Sequence, residues 1–186
     1  MSTSSALSVS RFIDSPVGGL RLTACGGVLT RLAWDDAPKA TASGDTADAA
    51  LLERAMAQLA AYFAGELTAF DLPLDPAGSL FQRRVWKGMI QIPYGRTRTY
   101  GDLAHDVGGV ARAVGRACGA NPIPIIIPCH RVVAGGGRLG GFSGGRGTES
   151  KRCLLALEHA APEGADLFAQ KQWWPVMAVT NDLRER

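Results

Sequence analysis

Residues 121–133 have the sequence NPIPIIIPCHRVV, and no other stretch constrains the structure of the chain as strongly. Its three prolines exclude a regular helix or a central strand, so the run is predicted to be an extended, stiff segment that fixes the direction of Cys129. A cysteine with only a structural role does not need such a scaffold. A thiol attacks as the thiolate, and the adjacent His130 and Arg131 are predicted to lower its pKa. The segment therefore indicates a nucleophilic cysteine.

Two short helices joined by glycines are predicted before this segment. Thr99 stands at an N-cap position, and the helix after it ends at Gly108-Gly109. The second helix, 110–118, places Arg112 and Arg116 four residues apart on one face. The pair has the shape of a helix-turn-helix, the second helix of which enters a DNA groove. A packed helical hairpin with solvated arginines is the alternative.

The N-terminal part is predicted to combine a β-hairpin with a helix. Residues 18–24 and 28–34 alternate in polarity around a Cys-Gly-Gly turn, which is typical of a hairpin. Residues 49–64 have apolar side chains at helical spacing and are followed by Gly65. The stretch 37–47 is rich in Ala, Ser, Thr and Asp and is predicted to be a mobile surface loop.

Residues 72–78, LPLDPAG, suit a linker between two domains. We therefore predict an N-terminal α/β domain over 1–77, a second domain over 78–159 and a C-terminal tail over 160–186. A helix is predicted at the start of the second domain, with Phe81, Val85, Trp86 and Met89 facing inward. The tail carries Trp173-Trp174, for which packing on the domain is favoured over contact with a partner.

Charge is divided unevenly along the chain. Residues 1–77 hold 5 Lys and Arg against 9 Asp and Glu, whereas residues 78–158 hold 12 against 4, a net charge of +8. A basic half joined to an acidic half is the pattern expected of a nucleic-acid-binding part and a supporting part. The alternative is a basic surface that binds no partner.

The composition of the chain narrows the possible classes of protein. The 186 residues include 46% hydrophobic and 20% charged side chains, as in soluble globular proteins, and no secretory signal is predicted, so we expect a cytoplasmic protein. Four cysteines without paired spacing favour reduced thiols, and the scattered histidines argue against a metal site. The glycine-rich run 135–147 lacks the Gly-Lys-Ser/Thr ending of a phosphate-binding loop, which argues against ATP.

The Pro128-Cys129-His130-Arg131 signature, with Asn121 eight residues before the cysteine, resembles that of the O6-alkylguanine-DNA alkyltransferase family. The likeness covers roughly residues 79–159. It includes Tyr100, the helix around 111–115, the loop 140–145 and the run 151–158. The N-terminal segment 1–77 fits the variable N-terminal domain of the family only loosely.

The resemblance implies an α/β (α+β) protein with an N-terminal ribonuclease-H-like β-sheet domain and a C-terminal winged helix-turn-helix-like domain. It implies direct-reversal repair, in which double-stranded DNA is bound in the minor groove and the damaged nucleotide is flipped out of the stack. Cys129 then takes the alkyl group of O6-alkylguanine or, less efficiently, of O4-alkylthymine. The thioether product is a poor leaving group, so each molecule acts once. No cofactor and no metal are expected, and the protein is expected to be monomeric, with clustering on DNA left open.

The resemblance also assigns roles by matching position. His130, oriented by Glu158, takes the thiol proton through a bridging water, and Asn121 braces the segment that presents Cys129. Tyr100 donates a hydrogen bond to guanine N3 and presses on a phosphate, while Arg112 fills the space that the flipped base leaves. Further DNA contacts are assigned to Ala111, Gly115, Arg116 and Arg131, and the base pocket to Pro124, Phe142, Ser143, Gly144 and Lys151.

Two rival functions remain at this point. The first is a binding module that recognises alkylated guanine without repairing it, against which the presence of Cys129 argues. The second is a cysteine hydrolase that uses Cys129 and His159 and needs no DNA. The net charge of the second half and the position of Arg112 argue against the hydrolase.

Overall fold

A computed structural model describes residues 8–35, 46–136 and 138–160 of the chain. One turn of 3-10 helix, Cys129–Arg131, lies among the regular elements. In chain order these elements are β1 (Val9–Ile13), β2 (Leu20–Cys25), β3 (Val28–Trp34), α1 (Thr46–Phe63), α2 (Leu80–Ile90), β4 (Arg98–Thr99), α3 (Tyr100–Val107), α4 (Ala111–Gly119), β5 (Val132–Val133) and α5 (Thr148–Leu157).

The predicted hairpin is confirmed as β2 and β3, and β1 adds a third antiparallel strand beside β2. The turn is tight because Gly26 and Gly27 both have positive φ, at 64° and 80°, which favours glycine at each position. The buried carboxylate of Asp48 accepts hydrogen bonds from both glycine N–H groups, at 3.1 and 2.7 Å. Helix α1 packs across the sheet, so Asp48 also ties the helix to the turn.

Helix α1 begins three residues earlier than predicted, at Thr46. The last two residues of the predicted loop 37–47 are therefore helical. Asp48 in the first turn explains the earlier start, because a carboxylate there is stabilised by the helix dipole. The rest of that loop, and Trp173-Trp174 of the predicted tail, lie outside the described residues.

The predicted linker 72–78 runs beside β3. Leu29 donates its N–H to Pro73 O at 2.8 Å and accepts from the N–H of Asp75 at 3.0 Å, so the two segments form a short parallel bridge. Buried side chains from before and after the linker belong to one continuous hydrophobic cluster. The boundary at 77/78 stays a prediction.

The predicted helix pair is confirmed as α3 and α4, which pack on α2. Ser79 caps α2 and Thr99 caps α3, each in a reciprocal capping box with the residue three positions on. Helix α3 ends at Gly108 in the left-handed conformation, which turns the chain directly into α4. Strands β4 and β5 pair in parallel and hold the start of α3 next to the segment that follows Cys129.

The turn between α3 and α4 gives a prediction about stability. Gly108 has a φ of 68°, and a Cβ there meets no atom within 4 Å, so Gly108→Ala costs only backbone strain. We expect a loss of roughly 1 to 2 kcal/mol in the free energy of unfolding, measured in urea. Gly119→Ala is the matched control, because Gly119 is also exposed and unhindered but lies within α4. There we expect no loss or a small gain. Equal losses in both variants contradict this explanation.

Candidate functional site

The segment 121–129 is a compact turn, which corrects the prediction of an extended run. Ile127 donates its N–H to Ile123 O at 2.9 Å, and Ile125 has a φ of 72°, an uncommon conformation for a β-branched residue. The Asn121 side chain closes the turn, since Oδ1 accepts from Ile123 N–H at 3.1 Å and Nδ2 donates to Ile127 O at 2.8 Å. The turn forms because it buries its four isoleucines, which an extended run leaves partly in water.

Cys129 follows this turn and is buried, with 7% of its surface exposed. Burial raises the pKa of the Cys129 thiol, and the smaller opposing effects come from the Asn121 side chain and the charge of Lys151. The prediction that the side chains of His130 and Arg131 lower this pKa is wrong, because both bond to Glu158 instead, and only the backbone of His130 acts in the predicted direction. The site therefore holds a protonated thiol at neutral pH.

Glu158 is the centre of a buried polar network. Its Oε1 accepts from Tyr62 Oη at 2.7 Å and from Arg131 Nη2 at 2.9 Å, and lies 2.8 Å from His130 Nε2. Its Oε2 accepts from Arg131 Nε at 2.8 Å. Burial alone raises the pKa of Glu158, but the hydrogen bonds from His130 and Arg131 and the charge of Arg131 outweigh it and bring the pKa to about 2. Glu158 is therefore ionised.

His130 is fully buried and has one nitrogen available. Burial lowers the pKa of His130 despite the opposing carboxylate of Glu158, so the ring is neutral at pH 7. An ionised carboxylate only accepts, so the ring proton lies on Nε2. His130 Nδ1 then carries the lone pair, and among the buried side-chain nitrogens and oxygens of the described chain only this atom is without a hydrogen-bond partner. A buried acceptor of this kind is suited to receive a proton.

Lys151 and Tyr100 form a second polar group near Cys129. Lys151 is fully buried, donates from Nζ to Val132 O at 2.6 Å and lies 5.8 Å from the Tyr100 ring centroid. Burial lowers the pKa of Lys151 to about 8 and raises the pKa of Tyr100 to about 12. Tyr100 Oη donates to Gly141 O at a long 3.4 Å. Tyr100 is therefore a protonated donor next to the thiol.

A groove of about 1100 Å³ brings most of the predicted site residues together. Arg112 and Arg116 are exposed along its side, and Gly115 between them leaves the surface of α4 thin. Ala111 is exposed at the start of α4. The predicted residues that line the groove are Tyr100, Arg112, Gly115, Arg116, Asn121, Pro124, Cys129, Phe142, Ser143 and Gly144.

Arg131 does not belong to this surface, and its assignment as a DNA contact is corrected. Its side chain is 7% exposed, and its guanidinium is held by both oxygens of Glu158 and by Ile92 O at 2.6 Å. Burying the Glu158 carboxylate without a cation beside it costs free energy, which explains why the Arg131 side chain is buried next to it. It supports the network around His130 instead.

The N-terminal segment 1–77 also reaches the site, which the sequence did not reveal. Arg31 and Trp34 of β3 line the groove, and Leu32 donates its N–H to Pro122 O at 2.9 Å. The Trp34 ring lies edge-on to Phe142 with 6.0 Å between centroids, and a Cβ on Gly144 clashes with it. Tyr62 of α1 enters the Glu158 network. No local motif marks these residues, because each acts only through a contact distant in sequence.

Two classes of feature are not found in the described residues. No group of three His, Cys, Asp or Glu side chains there can hold a metal ion. No helix in that part of the chain is long and apolar enough to cross a membrane.

Comparison with known proteins identifies the family of the chain. A family model described as the ribonuclease-like domain of 6-O-methylguanine DNA methyltransferase matches residues 9–76, and one described as the DNA binding domain of the same proteins matches residues 80–160. A methylated-DNA–protein-cysteine methyltransferase of Mycobacterium tuberculosis is 49% identical over 162 residues, which are 85% of this chain and 97% of that protein.

Solved structures agree. A structure of Mycobacterium tuberculosis OGT in complex with DNA has a TM-score of 0.70 at 49% identity and matches 82% of this chain and 93% of that one. An O6-methylguanine DNA methyltransferase from Methanococcus jannaschii has a TM-score of 0.60 at 28% identity, over 80% of this chain and 93% of that one. The predicted fold class, a ribonuclease-like sheet domain followed by a helix-turn-helix-like DNA-binding domain, is confirmed. The chain belongs to the 6-O-methylguanine DNA methyltransferase family.

Proposed function

We propose that this chain repairs alkylated DNA by transferring the alkyl group from guanine O6 in duplex DNA to its own Cys129. The observation that carries the proposal is the position of Cys129 in a groove lined by Arg112 and Arg116, next in sequence to a buried, neutral histidine. Family membership supports the same reaction. O4-alkylthymine is a second, poorer substrate in this proposal.

The transfer is one in-line displacement. Cys129 Sγ forms a bond to the alkyl carbon while the carbon–O6 bond breaks, and the electron pair of that bond leaves with the guanine. The thiol proton passes through a bridging water to His130 Nδ1, the buried acceptor without a partner. Tyr100 stabilises the departing base by donating a hydrogen bond to guanine N3, and the guanine anion then takes a proton from water to become ordinary guanine.

A thiol that stays protonated until the substrate arrives fits a protein that reacts only once. Burial raises the pKa of Cys129, so little thiolate is exposed to other electrophiles. After transfer the alkyl group is held as a thioether, and the thiolate is too poor a leaving group for the alkyl group to be displaced again. The reaction is therefore stoichiometric, with one alkyl group accepted per molecule.

The damaged base must leave the helix, because a paired guanine presents O6 at the major-groove edge, out of reach of a buried Cys129 in a protein bound in the minor groove. In the proposal α4 lies in the minor groove, where small Ala111 and Gly115 permit close approach and Arg116 contacts the backbone. Arg112 enters the stack behind the flipped nucleotide, and Tyr100 presses on its phosphate. Pro124, Phe142, Ser143 and Gly144 surround the base, and Lys151 supports Tyr100 from within.

The rival cysteine hydrolase is less well supported. It needs His159 as the partner of Cys129, but His159 is exposed after α5, whereas His130 is the histidine that Glu158 orients. A module that binds without repair does not need the pairing of Cys129 with a buried proton acceptor.

The proposed reaction is tested by intact-protein mass. Incubation with excess duplex that carries one O6-methylguanine is expected to add one methyl group per molecule, mapped by peptide analysis to Cys129, and no more on longer incubation. Cys129→Ala is expected to bind the duplex and remain unmodified, and Cys118→Ala, which removes the other thiol lining the groove, is expected to be modified normally. Repeated turnover, or methylation at another residue, contradicts the proposal.

The role of Arg112 is tested by comparing duplex and free-base substrates. Arg112→Ala is expected to slow transfer from a duplex by roughly tenfold or more, because unstacking a base step costs a few kcal/mol and the inserted side chain offsets part of it. Transfer from the free base O6-benzylguanine, which needs no flipping, is expected to change little. Arg54→Ala removes an exposed cation from α1 and serves as the control. An equal loss on both substrates contradicts the flipping role.

A further inference from the structure

Tyr62 lies in α1, far from the other members of the Glu158 network in sequence. Its Oη donates to Glu158 Oε1 at 2.7 Å, across 96 residues of chain. Neither residue has appreciable surface exposure. Burial raises the pKa of Tyr62 well above its ordinary value, so its hydroxyl is protonated and donates at neutral pH. Tyr62 is thus a hydrogen-bond donor supplied to the site by the N-terminal segment 1–77.

We propose that Tyr62 is a positioning residue for alkyl transfer, which holds Glu158 Oε1 in the place where it orients His130. This inference rests on the proposed function, because it gives Tyr62 a part in the proton transfer from Cys129. The ribonuclease-like part of the chain then completes the reaction centre, in addition to contributing to the wall of the groove.

The crowding of three groups around Glu158 Oε1 supports this role. Oε1 is shared by Tyr62, His130 Nε2 and Arg131 Nη2, whereas Arg131 Nε and, at 3.5 Å, the N–H of Gly95 approach Oε2. Arg131 alone can hold both oxygens and still allow the carboxylate to tilt. The Tyr62 hydroxyl approaches Glu158 from α1 and fixes the remaining rotation of its carboxylate. Without it, His130 keeps its partner but loses a fixed direction for Nδ1.

The Tyr62 ring is held independently of its hydroxyl. Its centroid lies 5.3 Å from those of Phe63 and Phe70 and 6.2 Å from that of Tyr94. Aromatic contacts at these distances stabilise a ring in place. Tyr62→Phe therefore leaves the packing of α1 intact and removes only the donor. Tyr94→Phe is a matched control from the same cluster, because Tyr94 Oη donates to the backbone oxygen of Leu157 at 2.9 Å.

The substitution also changes the electrostatics at His130 in a defined direction. The charged groups that act on His130 are Glu158, Arg131 and Lys151. Loss of the tyrosine hydroxyl leaves more of the Glu158 charge facing the ring, which favours the imidazolium and raises the pKa of His130. Protonated His130 cannot accept the thiol proton. The acid limb of the rate profile therefore moves to higher pH in Tyr62→Phe.

The experiment measures single-turnover methyl transfer from a saturating O6-methylguanine duplex to full-length protein between pH 5 and pH 9. For Tyr62→Phe we expect a rate constant roughly threefold to tenfold lower, the effect of one hydrogen bond. We expect its acid limb at higher pH and its dissociation constant for the duplex unchanged. Tyr94→Phe is expected to match the unsubstituted protein in all three.

A double-substitution cycle separates positioning from general loss of structure. If Tyr62 acts through Glu158, adding Tyr62→Phe to Glu158→Gln lowers the rate no further. Additive losses overturn the proposal, as does a Tyr62→Phe protein with unchanged rate and pH profile, or an equal loss in Tyr94→Phe. Absence of transfer by the unsubstituted protein contradicts the proposed function instead, so the two failures are distinguishable.

Discussion

The burial of one ionised carboxylate, Glu158, governs the arrangement of this site. A buried charge without compensation is strongly destabilising, so the chain must bring donors to it. Arg131, His130 and Tyr62 supply them, from the 3-10 turn that begins at Cys129 and from α1. Because His130 and Arg131 point toward Glu158, Cys129 is left to line the groove. The same interaction joins the ribonuclease-like part of the chain to the DNA-binding part.

This arrangement reverses the electrostatic logic that the Cys-His-Arg sequence suggests. Adjacent cations predict a thiolate, yet both side chains are committed to Glu158, and burial raises the pKa of the thiol. Reactivity then depends on a base that takes the proton during attack. In the proposed reaction, the lone pair of buried, neutral His130 is that base. A protein that is consumed by its reaction gains from a thiol that is inert until the correct substrate fills the groove.

Features that depend only on neighbouring residues could be predicted from the sequence. The glycine turn of the hairpin, the Thr99 cap of α3 and the end of that helix at Gly108 are each set by a few neighbouring residues, and each was predicted. The direction of Arg131 was not, because it depends on a carboxylate 27 residues away. The turn before Cys129 does not follow from its prolines alone, because it depends on the burial of four isoleucines. Trp34 and Tyr62 carry no local mark, since an aromatic residue in an apolar stripe is usually only core.

The proposed chemistry requires burial to keep His130 neutral, while Glu158 holds the ring proton on Nε2 and leaves Nδ1 bare. Nitrogen-15 NMR of the histidine side chains measures this directly, with His130→Gln for assignment. At pH 7, before any reaction, we predict a neutral His130 ring whose protonated nitrogen is Nε2 and which stays neutral at a lower pH than an ordinary imidazole does. An imidazolium at pH 7, or a neutral ring with its proton on Nδ1, contradicts the role of His130 as the proton acceptor.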